Sequence, residues 1–199
     1  MIRPPTALLL ASMLTLAACD ETDAVAVRIS LHDDLSGTVR TSGLVLPVVD
    51  PPVQQESHGA TWDSRVAVSC ASGSFAEISK LAIADITFGA GVGGEGIGFA
   101  RVVLPRGEAA RWPRVFVPLS AKEREAAAAA LDPAGKSTAV GETIKIEVEL
   151  PTAVVGNGIT GKTRGTRASA EGEVATLIVP LDTISTPGDP IVWHLTWQK

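Results

Sequence analysis

Strict alternation of apolar and polar side chains is the feature that most limits how this chain can fold. Over residues 143–150, Ile144, Ile146, Val148 and Leu150 alternate with Lys145, Glu147 and Glu149. Successive side chains of a strand point to opposite faces, so this segment predicts a strand of an antiparallel sheet with one buried and one wet face. The C-terminal stretch repeats the pattern: Ile191, Trp193, Leu195 and Trp197 share one side and His194 lies on the other. It predicts a last strand docked in the sheet, with His194 at the surface and the tryptophans in the core. Near the other end Val25, Val27, Ile29 and Leu31 alternate with Ala26, Arg28 and Ser30. Asp33-Asp34-Leu35-Ser36-Gly37 then supplies turn chemistry, and residues 38–45 are again β-prone, which predicts an opening hairpin.

Further strand signals cover residues 83–88, 97–104, 114–117 and 173–179, and residues 47–60, with Pro47, Pro51, Pro52 and Gly59, read as a long irregular connection. Ser74-Phe75-Ala76-Glu77 and Ser120-Ala121-Lys122-Glu123 both match the capping box, in which serine and glutamate satisfy each other's backbone donors at a helix start. Two short helices are therefore expected, one to about residue 81 and an alanine-rich one that Asp132-Pro133 stops. The expected fold is α+β: a predominantly antiparallel β-sheet, curved into a partial barrel or sandwich, with two short helices.

Ahead of this domain stands a leader. Arg3 precedes an apolar run from Ala7 to Leu16, and Leu16-Ala17-Ala18-Cys19 ends it. A charged start, about ten apolar residues and a small-residue cleavage site fit a removable export signal. The run is too short to span a bilayer, which takes about twenty apolar residues, and Asp20-Glu21-Thr22-Asp23 follows at once. The segment resembles the signal of bacterial lipoproteins, whose "lipobox" closes on an obligatory cysteine that becomes acylated. That resemblance implies cleavage before Cys19, acyl chains on Cys19 and a domain held at the cell envelope, periplasmic or otherwise extracytoplasmic. Asp20 resembles the inner-membrane retention signal of enteric lipoproteins; the choice between inner and outer membrane stays open. The expected division is thus residues 1–18 signal peptide, 19–23 lipidated cysteine with an acidic tether, and 24–199 one extracytoplasmic domain.

The chain has 199 residues and a formal charge of −5. Loss of residues 1–18 removes one base and no acid, which makes the mature charge −6. Nucleic-acid binding needs a clustered basic surface, and the closest grouping, Lys162, Arg164 and Arg167, reads as a solvated strand face. With Cys19 acylated, Cys70 has no cysteine left to pair with, and its flank Val66-Ala67-Val68-Ser69 makes it a buried thiol in a strand.

Two nucleotide-binding motifs match in letters and fail in context. Gly156-Asn157-Gly158-Ile159-Thr160-Gly161-Lys162-Thr163 has the P-loop spacing, yet Arg164 to Gly172 carries two glycines and no helical period. The helix N-terminus that would hold phosphate is missing, and the glycines read as turn residues. Gly89-Ala90-Gly91-Val92-Gly93-Gly94 has the dinucleotide spacing but runs on through Glu95 and Gly96 into another strand, as a flexible hairpin tip would. No nucleotide and no cofactor is expected. The three histidines, His32, His58 and His194, lack metal-ligand spacing, and His32-Asp33-Asp34 reads as a solvated turn. His58 with Ser57 or Asp63 suggests a hydrolase, but no nucleophile elbow accompanies them. No catalytic residue is assigned.

The segments "AVRISLHDDLSGTVR" and "IKIEVELPTAVVGNG" resemble the first hairpin and a later strand with its proline turn in LppM-like bacterial lipoproteins. Together they cover about a quarter of the mature chain, and that family's frequent C-terminal membrane helix is absent. The resemblance implies an anchored extracytoplasmic α+β domain in contact with envelope lipid or glycolipid, with no catalytic residues to transfer.

The expected function is a noncatalytic, membrane-anchored envelope lipoprotein with a binding or assembly role. In one version a curved sheet, lidded by a helix, encloses an apolar ligand in a pocket lined by aliphatic and tryptophan side chains. In another, an exposed patch near the glycine-rich loop or Trp112-Pro113 docks an envelope protein. An extracytoplasmic hydrolase is third.

Overall fold

A computed structural model describes residues 25–43, 49–50, 58–62, 66–83, 85–110, 122, 141–161 and 163–199. For strand residues between 42 and 71 backbone pairing alone is described.

The alternating segments form the strands that their patterns require. β1 (Val25–Leu31) and β2 (Gly37–Gly43) pair antiparallel across the Asp33–Ser36 turn. After β3 (Val49–Asp50) and β4 (His58–Trp62), β5 (Val66–Phe75) pairs with both β2 and β4. β6 (Ala82–Ile83), β7 (Ile86–Val92) and β8 (Ile97–Leu104) follow, then β9 (Thr143–Glu149), β10 (Val154–Thr160), β11 (Arg167–Glu171), β12 (Val174–Pro180) and β13 (Ile191–Gln198). They make two sheets, of order β11-β12-β9-β1-β2-β5-β4 and β10-β13-β8-β7-β6-β3. The described residues are thus mostly β-sheet with few helices, and neither sheet closes into a barrel.

One apolar core serves both sheets. The first contributes Val27, Ile29, Ile146 and Leu177, the second Phe88, Val102, Trp193 and Leu195. The tryptophans account for much of the second sheet's share: Trp193 and Trp197 have 0% and 1% of their surface exposed. Trp197 fits because its register partner is Gly98, and a Cβ there would fall inside the indole. Trp193 fits because its indole N–H donates to the Asn157 amide oxygen on β10 at 2.7 Å, so the buried donor is satisfied. Trp62 and Trp112, also expected in the core, lie outside the described side chains.

The predominantly antiparallel expectation holds, with one parallel pair: β1 pairs parallel with β9 while pairing antiparallel with β2. Several other expectations are corrected. The capping box at Ser74 does not open a helix: Ser74 and Phe75 finish β5 opposite Thr38 and Gly37, and Phe75 is buried. Only a single 3-10 turn, Ile78–Lys80, follows, and Glu77 bonds Ser79 and Lys80 instead of capping. Strand pairing and a core place for Phe75 outweigh the local helix signal. The strand expected over 83–88 is broken at the turn before Ile86, so β6 and β7 form a tight hairpin with Ile83 opposite Ile86. The irregular stretch 47–60 contains the short β3 and the start of β4. Glycines read as turn residues lie partly inside strands, Gly156 and Gly158 in β10 and Gly89 and Gly91 in β7; Gly91 and Gly156 leave room for Phe99 and Thr196, whereas Gly89 and Gly158 face open space. Gly161, with φ of +74°, does occupy a turn. A one-turn helix not expected from the sequence, α1 (Leu181–Ser185), follows Pro180 and buries Ile184. The alanine-rich helix 120–131 and the strand 114–117 lie outside the described residues, save Lys122, which is helical.

Candidate functional site

The two sheets present very different outer faces. That of the first sheet carries charges of both signs, several of them paired. Ser30 donates to a Glu149 carboxylate oxygen at 2.7 Å, Arg28 lies 3.8 Å from the same oxygen, and Lys145 meets Glu147 at 3.0 Å. Surface pairs of this kind contribute little energy, and the exposed side chains of Arg167 and Glu171 on the edge strand β11 make no hydrogen bond or ion pair to any described residue.

The outer face of the second sheet is built otherwise. Register places its side chains in rows across β7, β8, β13 and β10: Gly91, Phe99, Thr196 and Gly156 in one; Gly89, Arg101, His194 and Gly158 in the next; Thr87, Val103, Val192 and Thr160 in the third. The outer strands carry glycine where the two central strands carry a ring, a guanidinium and an imidazole. The four strands contain no Asp or Glu, and Arg101 and His194 are their only ionisable side chains. Both are exposed, and neither makes a hydrogen bond or ion pair to any described residue. Glu95 stands in the turn that joins β7 to β8, and Asp189 in the turn before β13.

Apolar surface gathers toward one end of this face. Phe99 and Ile97 are 46% and 39% exposed, and Val155 at a neighbouring strand end is 64% exposed; Val92, 45% exposed, pairs with Gly98 and so belongs to the inner side of β7. The Phe99 ring leans over Gly91, with its Cζ 2.6 Å from where a Cβ would stand, so it covers bare backbone. The turn beside it is tied down. The Lys199 N–H donates to the Gly96 carbonyl at 2.6 Å, and Lys199 Nζ donates to the Asp33 carbonyl at 3.2 Å. These bonds hold the glycine-rich turn, the C-terminus and the Asp33 turn at one end of the molecule. Val25 begins β1 at the opposite end, about 20 Å away for a strand of this length.

The residues singled out in the sequence fall as follows. His194 lies on the outer face, as its alternation requires, and sequence proximity gives no sign that Arg101 is its cross-strand neighbour. His32 Nδ1 lies 3.2 Å from Ser36 Oγ, and the Asp34 carboxylate accepts from both the backbone N–H and the hydroxyl of Ser36. Those bonds hold the Asp34 carboxyl below its ordinary range. No group of three metal-ligating side chains occurs among the described residues. His58 in β4 stands opposite Cys70 in register, while Ser57, Asp63 and Cys19 lie outside the described residues. After Gly161 the chain turns at Arg164 and Gly165 and enters β11, so no helix follows the P-loop-like sequence. Arg164 and Arg167 are exposed, on a turn and a strand; Lys162 lies outside. Trp193, Trp197, Ile146 and Leu177 have almost no accessible surface and are core residues, while Trp62 and Trp112 lie outside the described side chains. No helix among the described residues is long and apolar enough to cross a membrane.

Comparison with protein-family models, with curated proteins and with solved structures finds no match for this chain.

Proposed function

We propose that this is a noncatalytic lipoprotein of the bacterial envelope, anchored through acylated Cys19, whose β-rich domain is a binding module. The observation that carries the binding half is the outer face of the second sheet, where exposed Phe99 and Ile97 adjoin Arg101 and His194, whose side chains make no hydrogen bond or ion pair to any described residue. Apolar surface left in water beside unneutralised charge is costly to a fold with no use for it, and it is what a docking surface requires. The anchor follows from the Leu16-Ala17-Ala18-Cys19 sequence. Two or three acyl chains, at about 0.8 kcal/mol per buried methylene, hold a protein on a membrane far better than one myristoyl chain. Tethering at the Val25 end turns the end bearing Phe99 and Ile97 away from the membrane. A surface site is favoured over a lipid pocket because the core side chains that would line a pocket are packed against one another.

The anchor is tested by intact mass and fractionation of the full chain expressed in a lipoprotein-processing bacterium. The mature protein is expected to start at Cys19, to carry acyl mass and to sediment with membranes, and Cys19→Ser is expected to remove the acyl mass. A mature chain with an unmodified Cys19 would refute anchoring.

A further inference from the structure

We infer that the outer face of the second sheet binds an anionic saccharide, with a sugar ring stacked on Phe99 and its acidic group held by Arg101 and His194. This rests on the reading of that face as a binding surface and is independent of the lipid anchor.

Three observations select the ligand. First, charge: in a chain with 22 acidic residues, four adjacent strands carry none, and their two basic side chains are register neighbours without partners among the described residues. Such a field favours an anion, and a guanidinium offers the planar fork that a carboxylate, sulfate or phosphate fits. Second, shape: a Cβ placed on Gly89 or Gly158 would meet nothing within 4 Å, so open shelves flank the Arg101–His194 pair on both sides. A flat, rigid ligand can approach the backbone there. Third, the ring of Phe99 lies along the sheet over Gly91 instead of standing off it. A side chain that inserts into lipid must project, whereas a ring that lies along the sheet is placed to stack against the C–H side of a sugar. Phe99 and Arg101 are two residues apart on β8, about 7 Å, a distance that a sugar ring with an acidic substituent bridges. Thr87, Thr160 and Thr196 add hydroxyls on the same face. One arginine and one histidine are too few for the multiple phosphate contacts of a nucleic acid.

The test uses the full-length protein, purified from membranes in detergent, on an array of uronate-, sulfate- and phosphate-bearing saccharides with their neutral counterparts. At least one acidic member is expected to bind in preference to its neutral partner. Arg101→Ala is expected to weaken that binding about tenfold or more, since hydrogen bonds to charged groups are worth that much. Phe99→Leu, which still covers Gly91, is expected to weaken it several-fold, and Phe99→Tyr to preserve it. Binding by no acidic saccharide, or binding indifferent to Arg101→Ala and Phe99→Leu, would overturn the inference. A photoreactive residue at Thr87, used in cells, separates the two levels. Capture of a protein or a phospholipid there, without acidic-saccharide binding, overturns the saccharide and keeps the face as a binding surface; capture of nothing overturns both.

Discussion

Replacing Asn157 tests whether the second sheet depends on one hydrogen bond to a buried indole. Trp193 has no exposed surface, and its N–H reaches a single described acceptor, the Asn157 amide oxygen, at 2.7 Å. Leaving a buried donor unsatisfied costs about 1–3 kcal/mol. Where in that range a variant falls depends on water, because Asn157 itself is exposed. Asn157→Ala opens a path by which water replaces the amide, so it should cost about 1 kcal/mol. Asn157→Leu fills the same volume with carbon, keeps water out and should cost about 2–3 kcal/mol. With Tm moving about 2–4 °C per kcal/mol in a domain of this size, alanine should lower Tm by a few degrees and leucine by clearly more. Far-UV circular dichroism during thermal and urea unfolding reads both without interference from the chain's four tryptophans. The order runs against hydrophobicity, which would favour leucine on a sheet surface. A leucine variant as stable as, or more stable than, the alanine variant would refute the argument that the orphaned indole N–H sets the cost.

Leu177→Ala removes a side chain with no exposed surface from β12 and should destabilise by about 2–5 kcal/mol in urea unfolding, whereas Thr87→Ala on the outer face should stay within about 0.5 kcal/mol. Gly98→Val sets a side chain where the Trp197 indole lies, so loss of the buried tryptophan's blue-shifted emission and a clear fall in Tm are expected. Ser36→Ala removes both the hydroxyl donor to Asp34 and the contact with His32, so the Asp34 carboxyl should titrate closer to its ordinary value when followed by NMR. Because the native Asp34 value is depressed, its contribution to stability exists above the unfolded value and fades as pH falls through the native one; Ser36→Ala should lessen that acid-side dependence.

Much of the fold is legible in the sequence because burial on one face writes itself as a period of two. β1, β8, β9, β12 and β13 all fall where alternation places them, and His194 and the Trp193–Trp197 pair take the sides that their parity assigns. Errors arise where a local signal competes with a distant partner. Ser74-Phe75-Ala76-Glu77 satisfies the capping-box pattern, but only contact with β2 reveals that Phe75 is wanted in the core. A strand glycine misleads for the same reason: Gly91 reads as part of a hairpin tip until Phe99 is seen to occupy the space above it. That β1 and β9 run parallel is invisible to any window, since more than a hundred residues separate the paired strands.

The candidate site is harder to read, because it has no motif and exists only in register. Phe99 and Arg101 stand near one another in the chain, but His194 and Thr196 come from a strand some ninety residues later, and Gly156 and Gly158 from a third. One part of the signal is nevertheless local. Each of β7, β8, β10 and β13 lacks acidic residues, while β9 and β11 carry Glu147, Glu149 and Glu171 on the outer side of the first sheet. If solubility alone set surface composition, both outer faces of an acidic protein would carry mixed charge, as the first does. An edge device is a poor alternative for the acid-free face, because Phe99, Arg101 and His194 sit on the central strands β8 and β13, whose backbone groups are paired on both sides. The asymmetry is therefore a property of a face rather than of an edge, and four strands without acidic residues around an arginine that has no partner among the described residues are suited to contact with an anion.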